Sequence, residues 1–132
     1  MFADMRTAMP MAAALILYFY FRPGVPEYLL LPFFAVWIFC YYFDLRITIS
    51  NLQLLEHERN LVFPILYRKM GKKAVPVQFL VETATIVIIA IIFEHAINVV
   101  SISIVSFVFG ISHLEAYFSN KFLVKKIGKK YL

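Results

Sequence analysis

From Tyr28 to Phe43 no side chain carries a charge, and the same holds from Thr83 to Phe93 and from Ala96 to Ser112. Runs of this kind suit the hydrocarbon core of a bilayer, which is about 30 Å thick and takes roughly 17–25 mainly apolar residues per helix. A soluble domain has little room for them: 62% of the 132 residues are hydrophobic and 16% charged, against about 45–50% and about 25% in an ordinary globular chain. The expected fold class is all-α, a polytopic integral membrane protein. With 14 Phe, 8 Tyr and only 4 Gly, the composition excludes a disordered tail and a glycine-lined nucleotide module. The single Cys40 excludes an internal disulfide, a cysteine-built zinc site and a CxxC redox pair.

One transmembrane domain, 1–132, is expected, with four spans at about 5–21, 28–50, 75–93 and 97–118. The first ends at Arg22-Pro23-Gly24-Val25-Pro26, which cannot continue a helix. Its last turn, Tyr18-Phe19-Tyr20-Phe21, lacks a small-residue cleavage site, so the segment reads as an uncleaved anchor and not a signal peptide. The second carries Pro32 in its first turns, where a missing donor matters least, and is expected to stay helical past Asp44 toward Leu55. The third and fourth are separated only by a turn around Glu94–Asn98 and should form an antiparallel hairpin. Between the second and third, residues 61–70 pair apolar positions with a basic cluster and are too short to span; they read as a short interfacial helix.

Of the 13 Lys and Arg, only Arg22 falls between the first two spans. Arg6 precedes the first; Arg46, Arg59, Arg68, Lys69, Lys72 and Lys73 follow the second; the tail 121–132 carries the rest. The positive-inside rule then places both termini and the central loop in the cytoplasm of a multi-pass protein of the cell membrane. The tail would lie against anionic headgroups. The net charge of +5 is thus explained by the bilayer as partner, and no nucleic acid is expected.

Ionisable side chains in lipid cost about 2.5–3.5 kcal/mol even on the lenient insertion scale, so each needs a partner or a position near water. Asp44 comes late in the second span and His113 late in the fourth. Glu82 lies about seven residues into the third, roughly 10 Å along a helix rising about 1.5 Å per residue. Asp44, Thr48 and Asn51 share one helical face; Gln78, Glu82 and Thr85 share another; Ser103, Ser106, Gly110, His113 and Asn120 line a third. Small residues let membrane helices approach closely, so Ser103, Ser106 and Gly110 are expected to pack against another helix.

Two readings of the polar level stand side by side. In one, Asp44, Glu82 and His113 form a cytoplasm-facing metal, cation or proton site. In the other, they hydrogen-bond one another and fix helix register. Glu56 and Glu58 are either solvated or close the same site from the loop. No catalytic residue and no cofactor is assigned: GxSxG, HExxH, P-loop and Rossmann patterns are all missing, and Ser112 and His113, being adjacent, point in different directions on a helix.

At Asp44-Leu45-Arg46-Ile47-Thr48 and Glu58-Arg59-Asn60-Leu61, followed by an apolar stretch ending in Lys69-Met70-Gly71, the chain resembles a group of small, uncharacterised prokaryotic four-helix membrane proteins. Those carry Asp-x-x-x-Thr late in one helix and Glu-x-Asn-Pro in the loop after it. Here Leu61 stands in place of the proline, and Pro64 follows three residues later. The resemblance implies a shared four-helix fold and a shared polar cluster, with no activity attached.

The composition leaves little material outside the membrane to do chemistry. The expected function is a small non-catalytic subunit or accessory protein packed among other membrane-protein subunits. The alternative is a small homo-oligomeric transporter of a cation, metal or proton through the Asp44, Glu82 and His113 cluster.

Overall fold

A computed structural model describes residues 27–56, 62–95 and 98–130. The expected first span, Arg59 and Glu58 lie outside the described residues. After a 3-10 turn at Glu27–Leu29, helix α1 spans Leu30–Ser50, and a second 3-10 turn covers Leu52–Glu56. Helix α2 spans Val62–Met70, a turn at Gly71–Lys73 redirects the chain, α3 spans Ala74–Glu94, and α4 spans Val99–Lys130. The described residues are all helix and turn. Three stretches, Leu30–Ser50, Val62–Phe93 and Val99–Ile127, are long and apolar enough to cross a membrane.

The helix ends follow from local chemistry. Pro32, Pro64 and Pro76 all sit in first turns, where the backbone amide has no partner to lose. Gly71 takes a φ of 58° after α2, a left-handed conformation that glycine adopts without strain. His95 closes α3 in the same region, with φ 55° and its amide bonded to the Ile91 carbonyl at 2.7 Å. Asn98 opens α4: its side-chain oxygen accepts the Val100 amide at 2.9 Å.

Two boundaries differ from those expected. Helix α1 stops at Ser50 instead of continuing toward Leu55, because Asn51 leaves the helical region (φ −137°, ψ 75°) while its amide turns back to Thr48 O. Helix α4 does not end near 118 but runs unbroken through the basic segment to Lys130. Its last turns hold lysines and apolar residues with no proline, and the one glycine, Gly128, costs only about 1 kcal/mol relative to alanine.

Cross-helix contacts fix the directions. Phe33 stacks on Phe107, Trp37 lies against Gly110, and Phe43 meets Tyr117, so α1 and α4 run parallel with a nearly constant offset in number. Tyr41 reaches Val75 while Trp37 reaches Glu82, so α3 runs antiparallel to both. The tightest approach is at Gly110, where a Cβ atom would lie 2.9 Å from the Trp37 Cα and 3.1 Å from the Val36 carbonyl carbon. Ser106 and Ser103 are fully buried one and two turns earlier on α4.

Two apolar clusters form the interior. One joins Trp37, Ile86, Ala90 and Val105; the other joins Tyr41, Leu45, Ala74 and Phe63, whose burial docks α2 on the bundle. The outward faces are also apolar, with Leu31, Phe39, Leu80 and Phe122 among the most exposed side chains. Such surfaces suit lipid and not water. Among the described residues the cationic side chains are segregated: Arg46, Arg68, Lys69, Lys72, Lys73, Lys121, Lys125 and Lys126 are exposed and lie at one end of the bundle. There Arg46 sits over the Tyr42 ring at 5.9 Å and Lys121 over Tyr117 at 5.8 Å, the cation and aromatic pairing expected at a headgroup level.

Candidate functional site

Between the two apolar clusters, three helices each present one ionisable side chain to the interior. Asp44 comes from α1, Glu82 from α3 and His113 from α4, and all are buried or nearly so. The histidine ring lies between the carboxylates. Its Nδ1 is 2.7 Å from Asp44 Oδ2, and its Nε2 is 2.9 Å from both oxygens of Glu82. The structure thus brings together all three residues that depth along the spans placed at one level.

Both carboxylates have further donors. Trp37 donates its indole N–H to Glu82 Oε1 at 2.7 Å, and Asn120 donates to Asp44 Oδ1 at 3.2 Å and to the Thr48 hydroxyl at 3.4 Å. Thr48 is fully buried and its hydroxyl donates to the Asp44 carbonyl. Tyr41 packs its ring edge-on to His113 at 5.2 Å and anchors its own hydroxyl on Val75 O at 2.6 Å. Phe79 completes the wall by stacking on Trp37 at 4.8 Å.

Several side chains expected near this level stand elsewhere. Thr85 is exposed and donates to Val81 O on its own helix, while Ile86 takes the buried position; residues three and four after Glu82 both lie near its face, and packing buries the second of them. Asn51 bonds to Ile47 O, also within its own helix. Gln78 is buried one turn before Glu82, and its Oε1 has no hydrogen-bond partner among the described residues. Glu56 is exposed on its turn. Trp37 and Tyr41 are the participants that the sequence reading passed over. The one Trp of the chain lies seven residues before Asp44, two turns along the same helical face, and that spacing is the available signal.

The chemistry follows from counting hydrogens. Each short contact between a ring nitrogen and a carboxylate oxygen needs one hydrogen. Either the ring is an imidazolium between two carboxylates, or a neutral ring accepts from a protonated carboxyl on one side and donates on the other. Both descriptions contain two protons and leave the triad with one net negative charge; a third proton makes it neutral. Because imidazole accepts on one nitrogen and donates from the other, a proton arriving at Asp44 can leave toward Glu82. The donor atoms point at one another and not at a common centre, and no group of three or more His, Cys, Asp and Glu among the described residues is arranged to hold a metal ion.

The indole hydrogen bond can be measured. Trp37→Phe keeps an aromatic ring against Phe79 but removes the indole donor and leaves Glu82 Oε1 to His113 alone; a bond to a charged group is worth about 1.5–3 kcal/mol. A double-mutant cycle with Glu82→Met, which removes the acceptor, read by thermal unfolding in detergent, separates this coupling from the change in ring size. Additive effects of the two substitutions would show that the indole does not hold the carboxylate.

No protein-family model matches this chain, and no curated protein or solved structure does.

Proposed function

We propose that this chain is a small integral membrane protein that binds and releases protons at the Asp44, His113 and Glu82 network, as the proton-handling element of a transporter. The observation that carries the reading is the position of the imidazole: both ring nitrogens contact carboxylates from two other helices, deep in an apolar bundle. Ionisable groups retained at such cost inside membrane helices ordinarily mark an ion or proton pathway. A proton is favoured over a metal because the ring nitrogens already face oxygens, whereas a third proton changes the net charge without rearranging the helices.

The test is a proton count. Purified protein in detergent micelles is taken through a pH ramp with an indicator dye, and uptake is compared with that of Glu82→Gln and Asp44→Asn. Each variant should take up one proton fewer than the wild type while keeping the wild-type helical signal. Identical uptake in all three would leave the network a structural fastening.

That structural outcome belongs to a second reading, a non-catalytic subunit packed within a larger membrane complex. The observation favouring it is that, with Trp37 and Asn120 as further donors, every oxygen of the two carboxylates has a partner, as in a purely architectural network. Stable co-purification with unrelated larger chains in mild detergent, together with unchanged proton uptake, would establish it.

Both readings share a topology of four spans in the cell membrane with the termini in the cytoplasm, supported by the collection of exposed cations at one end of the bundle. A cysteine placed at Lys129 in a Cys40-free background should be labelled by a membrane-impermeant reagent only after the cells are opened. Labelling of intact cells would invert the orientation.

A further inference from the structure

The geometry points to a blind-ended proton well: protons exchange with the network from the Asp44 end, where the cationic side chains lie, and Trp37 closes the Glu82 end. The inference rests on the proton-exchange reading above and adds a direction to it. The network is a chain of contacts with two unlike ends. At one end Asp44 meets Asn120 and Thr48, and Asn120 is half-buried beside the exposed Lys121. The Asn120 amide only donates and relays no proton itself, but it leaves the Asp44 carboxylate one partly exposed side chain away from the level of the headgroups.

At the other end the route stops. The indole that holds Glu82 is only 5% exposed, is stacked on Phe79 with the rings 13° from parallel, and has its backbone pressed against Gly110 with no space for a methyl group. Beyond it lie Ile86, Ala90 and Val105, all buried and none able to carry a proton. The buried hydroxyls of Ser106 and Ser103 do not bridge the gap. Ser106 donates to Ile102 O and Ser103 to Val100 O, each at 2.8 Å within its own helix, so neither hydrogen points along the path. An indole N–H donates and cannot accept, so it holds the carboxylate without passing a proton onward. The ionisable groups that meet the imidazole are Asp44 and Tyr41 from α1 and Glu82 from α3, and the Tyr41 hydroxyl is committed to Val75 O.

A protein built this way accepts and returns protons on one side without conducting them, and passage to the other side requires movement of Trp37. The full chain is reconstituted in vesicles of neutral phospholipid with its orientation fixed by labelling. A pH jump is then applied to one side at a time while the carboxyl infrared bands, assigned with Asp44→Asn and Glu82→Gln, are followed. The expected result is a response to the jump on the cationic side and none to the jump on the other, with passive proton flux equal to that of protein-free vesicles. Trp37→Ala should lose the seal: its vesicles should leak protons and its carboxyls should answer jumps from both sides. A wild-type response from both sides, from the opposite side alone, or a wild-type proton leak would overturn the well while leaving proton exchange standing. A response from neither side would remove the exchange reading and the well with it. The two wild-type measurements decide the matter even if Trp37→Ala does not fold.

Discussion

Gly110→Leu should yield no folded protein, because the new side chain must enter space occupied by the main chain of α1. A single Cβ would already lie 2.9 Å from the Trp37 nitrogen and Cα, atoms that move only with the whole helix. Even Gly110→Ala should melt earlier than the wild type: overpacking of about 1–3 kcal/mol exceeds the roughly 1 kcal/mol by which alanine ordinarily favours a helix. Ile111→Ala, at the partly exposed neighbouring position, is the matched control and should shift the melting temperature much less. If Gly110→Leu and the control unfold alike, the close packing of α1 on α4 is wrong.

His113→Ala should be the most damaging change within the polar network. It leaves Asp44 and Glu82 buried, like-charged and without the ring between them. Removing one partner of a buried ionic group costs about 3–5 kcal/mol, mostly as the penalty of the charge left behind. The distinguishing part is the rescue. Asp44→Asn and Glu82→Gln, added to His113→Ala, remove both charges while keeping shape and some hydrogen bonding, and should restore much of the lost stability. A triple variant no more stable than His113→Ala alone would mean that the loss arises from the cavity left by the ring and not from the stranded carboxylates.

The three ionisable residues were legible in the sequence because a charge in an apolar run is conspicuous and helical rise converts its position into a depth. Asn120 and Thr48 were legible too, as members of polar faces. Trp37 and Tyr41 were not: in a chain with 14 Phe and 8 Tyr, another aromatic reads as filling, and its hydrogen-bonding edge becomes meaningful only once a carboxylate is seen opposite. Thr85 was assigned to the wrong side because residues three and four apart both fall near one face, and packing alone decides between them. The extent of α4 was hidden by its lysines. Their charge marks the membrane boundary, but lysine is a good helix former and does not end the helix there. The parallel pairing of α1 with α4 could not be read either, since apolar periodicity identifies faces without naming their partners.

That pairing also sets a clock for biogenesis. Asp44 enters the membrane long before its imidazole exists, since His113 is made 69 residues later. At a synthesis rate of about 5–20 residues per second, the wait is roughly 3–14 seconds. During that interval the α1 carboxylate has neither His113 nor Asn120, and the groove that will receive Gly110 has no occupant. The hairpin of α3 and α4, by contrast, is joined by only four residues and can close as soon as its last helix emerges. The newborn chain therefore passes through an interval in which α1 lacks the α4 face that receives Asp44 and Trp37.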